Sequence, residues 1–268
     1  MPFDDELVLT SPKNPRVRAA ADLRERRARD ETGRTIVDGA RELDRALTGG
    51  AAVETVFVDD GGLTPAGQAT VARARAAGAE IVPVNGAVLA RLAYGDRAEG
   101  LVAVVAIPDQ SLEAMDLGPD PLVVVLEAVE KPGNLGAVLR SADAAGADAV
   151  IVADPRTDLF NPNAIRASLG AIFALPVAVG ASADVRSWLD ERRIAVLAAR
   201  VGSTVAYTDA DLRGPVALVL GSEADGLTNA WTGDRVTSIS LPMHGVADSL
   251  NVSITAAVLL YEARRQRA

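Results

Sequence analysis

Three short stretches in the second half of the chain hold residue types able to grip a ligand or a reacting atom. The first runs Glu127-Ala128-Val129-Glu130-Lys131-Pro132-Gly133-Asn134-Leu135-Gly136 and is followed by Arg140. Asn134 suits a helix N-cap, and Gly133 and Gly136 let backbone approach backbone or ligand closely. An ordinary turn with a surface arginine would carry the same residues. The second stretch, Leu220-Gly221-Ser222-Glu223-Ala224-Asp225-Gly226-Leu227, sets two carboxylates between two glycines. The third spans Ile239 to Ser253, with a break at Pro242, then Met243, then Ser249-Leu250-Asn251-Val252-Ser253. Ser249 or Asn251 can cap the helix that follows. Leu250 is apolar at a loop-to-helix junction, as a ligand-facing wall would require.

Other chemistries are missing. No Gly-x-Gly-x-x-Gly follows a strand and no Gly-Lys-Ser/Thr loop is present, which excludes the usual dinucleotide and nucleoside-triphosphate grips. Cysteine is absent and His244 is the single histidine, so no thiol nucleophile and no metal site is expected. His244 itself reads as a bystander in the third stretch.

The elements that must position these stretches alternate between strand and helix. From Leu122 onward, apolar runs at Leu122–Leu126, Ala149–Val152, Leu175–Val179, Ala195–Ala198, Val216–Leu220 and Ile239–Leu241 read as strands, several with the unbroken apolar character of strands buried on both faces. Helices are expected at Asn134–Ala145, Ala164–Gly170, Asp184–Arg192 and Asn251–Arg265. The pattern is that of a doubly wound parallel sheet, whose ligands sit beyond the carboxyl ends of the strands, so the loops after Leu126, Leu220 and Leu241 are the candidate site. Before it lies a smaller α/β unit: strands at Thr35–Val37, Val53–Val58, Ile81–Val84 and Leu101–Ile107, helices at Arg41–Leu47, Pro65–Ala77 and Gly86–Leu92. The expected division is residues 1–107, a linker over 108–120 around Gly118-Pro119-Asp120, and residues 121–268.

The 268-residue chain is 49% hydrophobic and carries a net charge of −9, with aromatic residues at only 3%. Acidity argues against a nucleic-acid partner and scarce rings argue against base stacking. The charge is unevenly spread, however. Between Ser11 and Arg29 stand Lys13, Arg16, Arg18, Arg24, Arg26, Arg27 and Arg29, opposed within that window by Asp22 and Glu25 alone. This is either a solvated helix or a basic arm for phosphate. The acidic start, Met1 to Glu6, is unlike a secretory signal, and no apolar run approaches membrane-span length, so a cytoplasmic protein is expected.

As an ordered set, the three stretches resemble the motifs of the SpoU/TrmH-like family of RNA ribose 2′-O-methyltransferases, in the SPOUT class. The matching elements are Asn-x-Gly followed by Arg, Leu-Gly-x-Glu-x-x-Gly-Leu, and an apolar-Pro-Met run ending Ser-Leu-Asn-Val-Ser, covering residue 121 to the C-terminus. Residues 10–105, opening on Ser-x-x-Asn-Pro, resemble more loosely the family's L30e-like substrate-binding domain; Asp38-Gly39 stands where that domain more often has Glu-Gly.

The resemblance implies a trefoil knot, S-adenosylmethionine as cofactor, no metal, and a homodimer through the C-terminal domain. It implies that Arg140 is the catalytic arginine and that Asn134, Glu223, Ser249 and Asn251 shape the catalytic site. Leu220, Gly221, Leu241, Met243 and Leu250 would bind the cofactor. Arginine is almost always charged, so a role on phosphate and developing alkoxide is preferred to that of a base, with both roles left open. Arg166, Arg24, Arg26 and Arg27 are the expected RNA contacts. The expected substrate is ribosomal RNA, most naturally 23S, with protection of the ribosome from antibiotics among the roles of such relatives. A transfer-RNA ribose methyltransferase and an inactive RNA-binding relative are the alternatives.

Overall fold

The computed structural model describes residues 8–94 and 99–268; the acidic start at residues 1–6 lies outside them. The chain forms two compact units, the first reaching to Pro108 and also taking in Leu159–Ala174, the second comprising Asp109–Asp158 and Leu175–Ala268.

The first unit begins with two short helices, α1 (Pro15–Asp22) and α2 (Arg26–Thr32), where one helical arm is expected from the charge pattern. Then follow β1 (Arg34–Asp38), α3 (Ala40–Thr48), β2 (Val53–Val58), α4 (Pro65–Ala76), β3 (Glu80–Pro83), α5 (Gly86–Leu92) and β4 (Leu101–Ala106). The sheet order is β1-β4-β2-β3, with β4 antiparallel to both neighbours and β2 parallel to β3. Ile36, Phe57, Val82, Val102 and Val104 meet Val17, Val88, Leu89 and Leu92 on one face. The segment Leu159–Ala174 completes this unit: Thr35 Oγ1 donates to Phe160 O at 2.8 Å and Arg45 Nη1 to Leu169 O at 3.0 Å.

The second unit holds β5 (Leu122–Glu127), α6 (Pro132–Ala145) and β6 (Ala149–Ala153); α7 (Pro162–Ala167) lies in the segment that belongs to the first unit. The second unit resumes with β7 (Val177–Gly180), α8 (Ser182–Glu191), β8 (Ala195–Ala199), β9 (Val216–Leu220), β10 (Val236–Ile239) and α9 (Val252–Arg267). All six strands are parallel, in the order β10-β8-β9-β5-β6-β7. Alternate residues face opposite sides, so Val123, Val125, Ile151 and Val219 pack on Val185, Trp188 and Leu189 of α8. The other face is covered by α6 and α9, which pack on each other. The expected linker is no free tether: Gln110 O accepts from Val179 N at 2.9 Å, and Leu112 and Met115 are buried in this core.

Candidate active site

The carboxyl ends of β8, β9 and β10 open onto a cavity of about 760 Å³. Its walls are residues 199–202 after β8, residues 220–227 after β9, residues 239–243 after β10, and residues 248–250 with Val252 and Thr255 at the start of α9. The second and third expected loops therefore meet, while the first lies at the rim and the loop after β8 takes its place in the wall. That substitution follows from strand order: β8 lies between β9 and β10, whereas β5 lies on the far side of β9.

All five expected cofactor residues, Leu220, Gly221, Leu241, Met243 and Leu250, line this cavity, as do Glu223 and Ser249. Leu250 stays 40% exposed, an apolar side chain spent on the cavity wall. Gly221 has a packing reason beyond ligand access: the loop folds back so tightly that a Cβ there would stand 2.2 Å from the carbonyl carbon of Gly226. Ser222 closes the same loop by accepting at Oγ from Asp225 N at 3.0 Å.

At the rim the first loop joins the second through Glu223. One carboxylate oxygen accepts from Asn134 Nδ2 at 2.8 Å and from Asn251 Nδ2; the other accepts from Lys131 Nζ at 2.8 Å. The Lys131 hydrogen bond, with those of the two amides, holds the Glu223 carboxyl below the usual carboxylate range. Asn251 caps α9, accepting at Oδ1 from Ser253 N at 2.9 Å. The expected cap at Asn134 is corrected: α6 begins earlier, its N-cap is Lys131, and Asn134 sits one turn in with its side chain free to reach Glu223. Proline fits the first helical position, and Pro132 starts α6 there. Lys131 was the site residue that motif reading missed; its signal was a lone cation three residues before Asn134.

Arg140 is not at the cavity. It is exposed on α6 and, among the described residues, makes no hydrogen bond or ion pair. Six residues beyond Asn134, it stands about 9 Å farther along the helix and about 120° around it. Among the described residues, Ser249 Oγ reaches only Asp248, at 3.5 Å.

The expected RNA contacts lie in the first unit, and their surroundings correct part of the reading. Arg24 is structural: its guanidinium donates to Arg91 O at 2.8 Å and to Ala93 O, tying down the end of α5. Arg29 is buried and donates to Leu23 O and Arg24 O, both at 2.7 Å. Arg26 and Arg27 are exposed and pair with Asp30 and Glu31 one turn on, just past the window in which opposing acids were counted. Arg166 donates to Tyr94 O and lies 5.9 Å from the centre of the Tyr94 ring. No group of three or more His, Asp or Glu able to hold a metal occurs among the described residues, and none of their helices is long and apolar enough to cross a membrane.

Residues 121–261 match the SpoU rRNA methylase family. The chain belongs to that family. Residues 14–103 match the MRM3-like substrate-binding domain. The 23S rRNA (uridine(2479)-2′-O)-methyltransferase of Streptomyces viridochromogenes is 33% identical over 91% of this chain and 87% of its own length. A crystal structure of an RNA 2′-O ribose methyltransferase has a TM-score of 0.83 at 42% identity, covering 97% of this chain and 99% of that one. The AdoMet-bound rRNA methyltransferase of Sinorhizobium meliloti has a TM-score of 0.87 at 30% identity, covering 97% of each chain. As a SpoU methylase, the chain has the knotted SPOUT fold, preceded in sequence by the smaller substrate-binding domain.

Proposed function

We propose that this SpoU methylase transfers a methyl group from S-adenosylmethionine to a ribose 2′-oxygen of 23S ribosomal RNA, acting in the cytoplasm. The supporting observation is the cavity at the ends of β8, β9 and β10, with the Glu223–Asn134–Asn251–Lys131 cluster at its rim. The cavity fits the cofactor. It has room for a nucleoside-sized ligand, apolar walls at Leu220, Leu241, Met243 and Leu250, and the Asp225 and Asp248 carboxylates for a cationic centre. When bound, the cofactor supplies a methyl group activated by its sulfonium.

The residues of the chain must then make a weak nucleophile react. A ribose hydroxyl attacks well only as its proton leaves or its growing negative charge is stabilised. Arg140, a permanent cation with no partner among the described residues, suits the neighbouring phosphate and the developing alkoxide. Glu223 is fully engaged by its three donors, so it positions Asn134 and Asn251 and takes no proton. Because Arg140 does not line the cavity of its own chain, a second copy is the natural source of the arginine. The exposed Ile254 and Tyr261 of α9 offer apolar surface for that pairing.

Two measurements test this. Total RNA is methylated with labelled cofactor and the product mapped by primer extension at low nucleotide concentration; a 2′-O-methyl stop in 23S RNA is expected, and label confined to transfer RNA or to a base overturns the reading. Arg140→Ala and Leu250→Glu, each strongly impaired alone, should regain activity when their subunits are mixed and allowed to exchange. Mixtures that stay inactive overturn the shared site.

A further inference from the structure

Glu127 ends β5 with no exposed surface, yet no arginine, lysine or histidine pairs with it among the described residues. Its partners are neutral. Oε2 accepts from Thr228 N at 2.8 Å; Oε1 accepts from Thr228 Oγ1 at 2.6 Å and from Ser182 Oγ at 2.9 Å. Thr228 is gripped from its other side as well, because Arg200 Nη2 donates to Thr228 O at 2.6 Å and Nη1 to Leu227 O at 2.9 Å. One peptide is thus held between a buried anion on its N–H and a cation on its C=O. That peptide closes the 220–227 wall of the cavity.

A buried carboxylate is a costly way to fill space. An apolar side chain of similar volume is commonly neutral or better for stability, so its presence asks for a positional reason. The backbone supplies a second sign. Ala128, the residue following β5, holds a positive φ of 52°, where a residue other than glycine, asparagine or aspartate is strained; Asp154, following β6, holds 47°, which aspartate adopts more readily. Asp154 Oδ2 lies 2.6 Å from the same Ser182 Oγ, whose single proton serves one of the two carboxylates at a time. Strain and buried polar groups converge on the strand end beneath the cavity wall.

We propose that Glu127 is a positioning residue for cofactor binding: together with Arg200 it clamps Thr228 and so fixes the Gly221–Leu227 wall. The inference rests on the cavity being the cofactor site. It deepens that reading by naming a group that touches no ligand and sets affinity through the loop.

The test uses full-length protein and calorimetry with S-adenosylhomocysteine, alongside hydrogen exchange of the amides of residues 222–228 and thermal melting. Thr228→Val, at an exposed position, removes the hydroxyl that donates to Glu127 and accepts from Ala230 N at 3.3 Å. It should weaken binding about tenfold, as loss of one hydrogen bond to a charged group does, with melting unchanged and exchange of the 222–228 amides faster. Thr228→Ser should restore both affinity and exchange. Glu127→Gln should raise the KM for cofactor more than it lowers kcat, and adding Thr228→Val to it should cost little more. Wild-type affinity in Thr228→Val, beside weakened affinity in Leu250→Glu, overturns the clamp and leaves the cavity reading intact. Wild-type affinity in both overturns the cavity reading and the clamp with it. A loss of affinity that tracks a lower melting temperature and is not rescued by serine also overturns the clamp, since it marks a purely structural contact.

Discussion

The helical surface of the first unit and the exposed face of α6 in the second use arginine in opposite ways. In the first, Arg24 and Arg29 are consumed by backbone carbonyls, while Arg26 and Arg27 hold only exposed ion pairs with Asp30 and Glu31. In the second, Arg140 has no partner among the described residues. A cation already satisfied inside its own unit adds to stability; one left unsatisfied on a helix face is available to a phosphate from elsewhere. The difference teaches that a count of bases along the chain does not measure an RNA surface, because the count ignores which charges the fold has already used.

The contrast breaks most visibly at Arg140. Arg140→Ala should cut turnover by about a hundredfold or more, as loss of one stabiliser of developing charge does, while calorimetry shows unchanged cofactor affinity. Arg140→Lys should recover little, lacking the planar fork. Lost cofactor affinity in a folded Arg140→Ala protein would place the arginine in the wrong half of the comparison.

Arg29→Ala tests the other half. It removes two buried charged hydrogen bonds and should destabilise the first unit by about 2 kcal/mol in denaturant unfolding, with cofactor affinity kept. An unchanged unfolding midpoint would mean that Arg29 is not consumed by the fold. The exposed charges should behave differently again. Reversing Lys13, Arg18, Arg26 and Arg27 to Glu, and leaving Arg24 and Arg29 alone, should weaken RNA binding by about tenfold and flatten its salt dependence by just under one unit of slope per lost contact. Their surface ion pairs are weak enough to be traded for phosphate. Wild-type methylation in moderate salt would show that this face meets no RNA.

The smallest effect is expected at Asp38. Burial first, then Glu99 and Glu42, push its carboxyl up to about 6, against the hydrogen bond from Tyr94 N and the charge of Arg166. The folded state therefore prefers the neutral acid. Stability from this group is complete below its ordinary value of 3.8 and is lost as pH rises through about 6. Asp38→Asn keeps an acceptor for Tyr94 N without the charge. It should flatten the fall in melting temperature between pH 4 and 7; a slope equal to wild type would refute the assignment.

Most of the second unit was legible because unbroken apolar runs name buried parallel strands, and β9 and the body of α6 fall where those runs and Gly146 place them. Gly221 and Leu250 were legible from their own positions, a glycine at a strand end and an apolar residue at a loop-to-helix junction, whereas Leu241 entered through the family resemblance. Three things were hidden. The loop after β8 carries no motif, and its place in the wall depends on strand order, which no local pattern encodes. The cap at Lys131 was masked by Asn134, a better capping side chain that the fold uses on Glu223. The roles of Arg24 and Arg29 depend on carbonyls at Arg91, Ala93 and Leu23, which a charge count does not see.

The segment Leu159–Ala174 also bears on how the protein is made. It lies between β6 and β7 of the second unit in sequence but packs with the first, giving Phe160 and Phe173, whose ring centres are 5.6 Å apart, and a carbonyl for Thr35. A nascent chain emerging from the ribosome therefore cannot finish its first unit when Pro108 has appeared; it must wait for some sixty further residues, by which time β5 and β6 of the second unit are already out. The two units are interleaved in time, and a truncation beginning near Pro119 would present Ile165, Ile172 and Phe173 to water with nothing of their own unit to cover them.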